Sequence, residues 1–133
     1  MMKSIGAMKA FCALSLCFMG ANVLAEDCGV LEKQADMNRC HASEYKAADR
    51  TLNDVYASYR ATLDETRKKS LANAQNAWIK YRDLSCDFET SGAKGGSVFQ
   101  MALSICLTEK TRARIEEIKK LSVCEEGDVS CSR

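Results

Sequence analysis

The feature that most constrains this 133-residue chain is a run of 62 residues, from Val30 to Ser91, without a single glycine or proline. The run is rich in Ala, Leu, Lys, Arg and Glu, which have high helix propensity. One straight helix of that length would extend about 90 Å, which is too long for one domain of this size. We therefore predict a helix that folds back on itself.

The fold-back point is predicted at residues 64–70, where seven successive residues carry no apolar side chain. Ser70, at the end of this segment, is a candidate N-cap for the second helix. The first helix then covers about Gln34–Lys68 and the second about Leu71–Thr90. The two helices form a long antiparallel hairpin.

A third helix is predicted after the glycine-rich loop at residues 91–96. Ser97-Val98-Phe99-Gln100 has the capping-box pattern and opens a helix that runs to about Leu121. No alternating strand pattern occurs in the chain. The predicted fold is therefore all-α, with a helical hairpin and a third helix packed against it.

Apolar side chains recur at helical spacing in each helix, and each stripe is expected to face the core. For Trp78, Tyr81 and Phe88 the alternative is an exposed aromatic binding patch. The stripes are Tyr45, Ala48, Leu52, Val55 or Tyr56, Tyr59 and Leu63 in the first helix, Leu71, Ala74, Trp78, Tyr81, Leu84 and Phe88 in the second, and Val98, Met101, Ile105, Ile115, Ile118 and Leu121 in the third.

The N-terminus has the pattern of a secretory signal peptide over residues 1–25. Lys3 and Lys9 precede an apolar run that is too short to span a membrane, and cleavage is expected before Glu26. Removal of the two lysines changes the net charge from +1 to −1, so we expect neither a nucleic acid nor a membrane surface as partner. The expected location is periplasmic or secreted, with no membrane insertion after cleavage.

Cleavage also leaves six of the eight cysteines, shared between a helical domain at 26–121 and a tail at 122–133. An even number in an exported chain favours three disulfides, although six cysteines allow fifteen pairings. The predicted helix positions favour Cys28–Cys40, Cys86–Cys106 and Cys124–Cys131. Without a C-x-x-C pair, and with His41 as the one histidine, we expect neither a metal site nor a cofactor.

Four segments of the chain carry specific motifs: Met37-Asn38-x-Cys40, Ala48-Asp49-x-x-Leu52-Asn53-x-x-Tyr56, Ala74-Gln75-x-Ala77-Trp78-Ile79-x-Tyr81-Arg82-Asp83-x-x-Cys86, and Cys106-Leu107-Thr108-x-x-x-Arg112. Together they resemble the LprI-type lysozyme-inhibitor domain of bacterial secreted and periplasmic proteins, over about residues 28–121. The resemblance implies an exported, disulfide-linked helical domain whose partner is a lysozyme-type muramidase.

The polar members of these motifs share helix faces. Asn53 lies one turn beyond Asp49, and Arg82 lies two turns beyond Gln75. We interpret the set as a hydrogen-bonded network that clamps the first helix to the second, with Arg82 paired to a carboxylate; direct ligand contact is the alternative. The full set is Asp49, Asn53, Tyr56, Gln75, Trp78, Arg82 and Asp83.

The glycine loop is the candidate inhibitory segment, with Ser91, Gly92, Lys94, Gly95 and Gly96 as its candidate residues. Lysozyme cleaves its substrate with a pair of carboxylic side chains, and a protruding loop with a cation would enter such a cleft and meet them. The simpler interpretation is that the loop only connects two helices.

No catalytic pattern accompanies these features. His41 has no motif partner for a nucleophilic triad, and the glycine loop lacks the P-loop spacing, so we do not expect an enzyme. The first hypothesis is an exported muramidase inhibitor that binds and occludes its target. The alternative is a periplasmic structural or protein-interaction module of the cell envelope with no lysozyme activity.

The exported protein is expected to begin at Glu26 and to contain no free thiol. Intact-mass spectrometry before and after reduction measures both, since reduction adds two hydrogens for each of the three predicted disulfides. A mass that retains residues 1–25, or a thiol that reacts in denaturant without reduction, contradicts this prediction.

Overall fold

The structure, a computed structural model, describes residues 27–123 and 127–129. Its three α-helices are α1 (Gln34–Ala61), α2 (Glu65–Glu89) and α3 (Phe99–Ser122), with short 3-10 turns at Cys28–Val30 and Ser91–Ala93. No strand occurs in the described ranges, and the all-α prediction is confirmed. The predicted signal peptide and the predicted Cys124–Cys131 bond lie outside them.

The fold-back point is shorter and earlier than predicted. Because α1 ends at Ala61 and α2 begins at Glu65, only three residues separate the two helices. Asp64 is the N-cap, and its Oδ1 accepts a hydrogen bond from the backbone N–H of Arg67 at 2.9 Å. The prediction of Ser70 as N-cap was wrong, since charged residues with good helix propensity after an Asp cap form a solvated first turn.

The most extensive helix contact joins α1 to α3. The two helices run in the same direction, because their first turns lie together: the Asn38 side-chain amide donates to the Ser97 carbonyl at 3.0 Å. Further along, the core cluster consists of Leu52, Tyr59, Leu63, Ile115 and Ile118, with Val55, Tyr56, Leu71 and Trp78 packed against it. Helix α2 packs against this pair in the opposite direction.

The start of α3 differs from the predicted capping box. The helix begins at Phe99, its N-cap residue is Val98, and no side chain caps it. The Ser97 carbonyl instead accepts the hydrogen bond from Asn38. That bond occupies a carbonyl and caps no N–H; the backbone N–H of Phe99 donates to the Gly96 carbonyl at 3.2 Å, so the capping-box prediction was wrong.

Two disulfides brace the bundle. Cys28–Cys40 ties the N-terminal 3-10 turn to α1, with 5.6 Å between the Cα atoms. Cys86–Cys106 joins α2 to α3 across the glycine loop, with 5.7 Å between the Cα atoms. A disulfide of this kind contributes about 2–4 kcal/mol, mainly by restricting the unfolded chain.

Helix α2 presents a polar face to the bundle interior. Gln75, Arg82 and Cys86 are buried, with exposures of 6%, 5% and 0%. The predicted stripe was wrong for four of its six residues, because Ala74, Tyr81, Leu84 and Phe88 are exposed, while Leu71 and Trp78 pack against the core cluster. In α3, Val98 and Leu121 at the two ends of the predicted stripe are also exposed. The inward face of α2 follows its polar and disulfide contacts rather than its apolar periodicity.

Candidate functional site

The guanidinium of Arg82 lies between all three helices. Its Nη1 donates to Asp49 Oδ1 of α1 at 3.2 Å and to Thr111 Oγ1 of α3 at 3.3 Å. Its Nε donates to the neighbouring Asp83 Oδ1 at 2.9 Å. One side chain of α2 is thus hydrogen-bonded to both other helices. We call Arg82 with Tyr45, Asp49, Trp78, Asp83 and Thr111 the arginine centre.

Aromatic rings complete the arginine centre. The Arg82 Cζ lies 5.4 Å from the ring centroid of Tyr45 and 5.3 Å from that of Trp78. The Trp78 ring also lies 5.6 Å from the Cζ of Arg114. These are cation–π distances, and such contacts strengthen when the cation is removed from water.

The charge state of the arginine centre is stable near neutral pH. Burial alone lowers the pKa of Arg82, but hydrogen bonds to Asp83 and Asp49 together with the nearby Tyr45 oxygen raise it more, so the net shift is upward. Burial raises the pKa of Tyr45, and the Arg82 charge opposes this only in part. Neither group is therefore suited to exchange protons at neutral pH, as a general acid or base must.

Of the other residues in the predicted polar network, two lie around the arginine centre and one lies apart from it. Asn53 donates to Asp49 Oδ2 at 3.4 Å, and Gln75 Oε1 accepts from Arg114 Nε at 3.1 Å. Tyr56 lies elsewhere, in an open groove at the other end of α1 whose lining includes Arg60 and Lys68. The structure thus brings Asp49, Asn53, Gln75, Trp78, Arg82 and Asp83 together and leaves Tyr56 out.

The inner face of α3 supplies residues that the sequence reasoning missed. Ser104, Thr108 and Thr111 are buried, with exposures of 8%, 4% and 0%, and recur at helical spacing. The Thr108 hydroxyl donates to the Ser104 carbonyl at 2.7 Å, which satisfies it within its own helix. Among the described residues, no buried side-chain oxygen or nitrogen lacks a hydrogen-bond partner. The buried part of the arginine centre is therefore fully hydrogen-bonded, while the Asp49 and Asp83 side chains keep exposures of 40% and 54%.

The glycine loop faces solvent, and the disulfide between α2 and α3 holds its two ends together. Its candidate residues Ser91, Gly92, Lys94, Gly95 and Gly96 are all exposed. Gly95 has a φ of +83°, which side-chain-bearing residues rarely adopt. The Lys94 ammonium lies 2.7 Å from Asp87 Oδ1 at the end of α2. The loop thus presents one cation, already paired to an exposed carboxylate.

Within residues 27–123 and 127–129, one cluster has metal-ligand chemistry: the ligand atoms of Cys28, His41 and Glu44 lie within 4.8 Å of one another. The Cys28 sulfur is bonded to Cys40, so no thiolate exists there. The His41 Nδ1 lies 2.8 Å from Glu44 Oε2. This cluster is therefore a histidine–carboxylate hydrogen bond beside a disulfide rather than a complete ligand set.

An apolar stripe lies on the outer face of α2. Ala74, Ala77, Tyr81, Leu84 and Phe88 are all exposed, at 61% for Tyr81 and Leu84 and 79% for Phe88. We call these five residues the outer stripe. The Lys110 ammonium lies 5.7 Å from the Tyr81 ring centroid and pairs with Glu89. A contiguous exposed apolar patch typically marks an interaction surface.

Comparisons with known proteins point to one family. The sequence model of the family described as "Lysozyme inhibitor LprI" matches residues 26–118. An uncharacterized protein of Rhizobium meliloti (strain 1021) is 38% identical over 108 residues, which cover 71% of this chain and 78% of that protein. No solved structure matches.

Replacement of the buried cation tests the arginine centre. Arg82→Met keeps the apolar stem but removes the donor that Asp49 Oδ1 and Thr111 Oγ1 share, so the free energy of unfolding is expected to fall by about 2–4 kcal/mol. Urea unfolding followed by circular dichroism measures it. The control is Arg112→Met, because the Arg112 side chain is 63% exposed and its Glu44 partner is 3.9 Å away; its expected change is below about 0.5 kcal/mol. Equal stability of the two variants contradicts the prediction.

Proposed function

Because this chain belongs to the LprI lysozyme-inhibitor family, we propose that it binds a lysozyme-type muramidase and occludes the catalytic cleft. The observation that carries the proposal is the family match over residues 26–118, which contain α1, α2, most of α3 and both described disulfides. A binding role requires a rigid surface of suitable shape and charge, and the braced bundle supplies one.

The chemically reactive side chains are already bonded or paired within the protein, which supports inhibition without catalysis. The four described cysteines are bonded in pairs, which removes a thiol nucleophile. His41 is paired with Glu44, and Arg82 is held by three hydrogen bonds. A general acid or base needs a group free to meet the substrate, and these groups are occupied.

The glycine loop is the proposed inhibitory segment. A cation at Lys94 suits a cleft whose catalytic groups are two carboxylic side chains. Its present pair with Asp87 is exposed, at 48% and 58% for the two side chains, and exposed pairs are weak. Exchange of Asp87 for carboxylates of the target therefore costs little. The Cys86–Cys106 bond beneath the loop limits the entropy lost on binding.

The proposed location is the periplasm or the cell exterior. Disulfides persist in oxidising compartments and are rare in the cytosol, and the described part of the chain holds two. None of the described helices has the length and apolar character needed to cross a membrane.

A second candidate function is an envelope interaction module with no lysozyme activity. The observation that favours it is the outer stripe, which the monomer leaves exposed. Binding through that stripe requires no muramidase. The two candidates predict the same bundle and differ in the partner that the protein retains.

Inhibition is tested by titrating the exported protein into a cell-wall lysis assay with muramidases of several classes. Lys94→Ala is expected to weaken inhibition at least tenfold, about 1.4 kcal/mol, and to leave the melting temperature nearly unchanged because the Lys94–Asp87 pair is exposed. Lys46→Ala, at an exposed position of α1, is the matched control and is expected to inhibit like wild type.

Two results separate the parts of this proposal. If wild-type protein in excess leaves every muramidase fully active, the inhibitor function is wrong and the second candidate stands. If wild type inhibits and Lys94→Ala inhibits equally well, the function holds and the inhibitory surface lies outside the glycine loop.

A further inference from the structure

The outer stripe has the spacing of a coiled-coil seam. Its residues are separated by three, four, three and four positions, which is the a/d pattern of a heptad repeat. The opposite face of α2 is occupied by the arginine centre and the Cys86–Cys106 bond. Apart from the contact of Lys110 with the Tyr81 ring, the stripe is therefore an apolar seam that the other described helices leave uncovered.

We propose that this seam is the contact surface of a homodimer, in which the α2 helices of two copies pack antiparallel. In this arrangement Ala77 lies opposite Phe88 of the partner subunit, and Tyr81 lies opposite Leu84 of the partner subunit. Each large ring then faces a small or flexible residue, as close packing requires. A parallel pairing would set Phe88 against itself and Ala77 against itself, with a clash at one layer and a void at the other.

Charge at the edge of the seam favours the same register. Lys80 and Asp87 occupy equivalent positions beside the outer stripe, seven residues apart, and both are exposed. In the antiparallel pair, Lys80 lies opposite Asp87 of the partner subunit, and the two-fold axis repeats the contact. Opposite charges at these flanking positions select partner and orientation in coiled coils. A second copy thus complements the seam in shape and in charge.

The area of the seam sets the strength of the dimer. An aromatic side chain that becomes fully buried removes about 150–250 Å² of surface from water. In the outer stripe, Tyr81, Leu84 and Phe88 are 61%, 61% and 79% exposed. With the two alanines, the seam offers about 400–500 Å² per copy on this scale. The total is below the roughly 1,200–2,000 Å² of a standard stable interface. The dimer is therefore expected to be weak and reversible.

Sedimentation velocity of the exported protein between about 1 and 500 µM tests the dimer without any muramidase present. Wild type is expected to shift from monomer to dimer across this range. Leu84→Asp places a charge in the seam without touching the core and is expected to weaken association at least tenfold. Val123→Asp, at a similarly exposed position of 69% at the end of α3, is the matched control. Circular dichroism of each variant verifies that the bundle remains folded.

A charge exchange tests the register. Lys80→Asp and Asp87→Lys are each expected to weaken the dimer, and the double variant is expected to restore it. A wild type that stays monomeric at every concentration overturns the proposal, as does a dimer that Leu84→Asp leaves intact. A monomer whose muramidase binding is lost in Leu84→Asp overturns it too, in favour of the target enzyme as the occupant of the seam.

Discussion

The Arg82 guanidinium is the contact on which the arrangement of the three helices depends. A buried cation is costly unless charges and hydrogen bonds surround it, and here they come from α1, α2 and α3 through Asp49, Asp83 and Thr111. These partners hold α2 with its polar face inward. The apolar cluster is built mainly from α1 and α3, so the directional bonds of Arg82, together with the Cys86–Cys106 bond, fix the rotation of α2.

The orientation of α2 determines which surfaces are free for binding. Because its inner face is occupied by Arg82 and by the Cys86–Cys106 bond, its apolar residues lie outside. The outer stripe ends at Phe88, close to the glycine loop, and the ion pair between Asp87 and Lys94 connects the two regions. The outer stripe and the glycine loop are therefore the exposed regions that this orientation of α2 places beside each other.

Much of this fold follows from the sequence in physical terms. The absence of glycine and proline predicts long helices, and helical spacing predicts the apolar stripe of α1 around Leu52 and Tyr59. The inward face of α2 was not predicted, because periodicity shows that apolar residues share a face but not where the face points. The position of Cys86 indicates the inward face of α2. Cys86 lies one turn after Arg82 on the same face, and a cysteine that is bonded to α3 must point toward the bundle interior. The roles of Thr111 and Tyr45 depend on side-chain geometry between helices, which no local pattern specifies. No sequence motif and no contact within the bundle assigns an inhibitory role to Lys94, and that role stays a prediction.

A double-mutant cycle between Arg82→Met and Asp49→Asn, measured as free energies of unfolding in urea, tests the central claim most directly. The two side chains lie on different helices, with 3.2 Å between Nη1 and Oδ1. If Arg82 holds α2 against α1, the double variant loses less free energy of unfolding than the two single variants lose together. The difference is expected to be about 1 kcal/mol or more, as is typical of contacting charged residues. Effects that add to within about 0.3 kcal/mol would show that the two residues act independently and would contradict this account of the bundle.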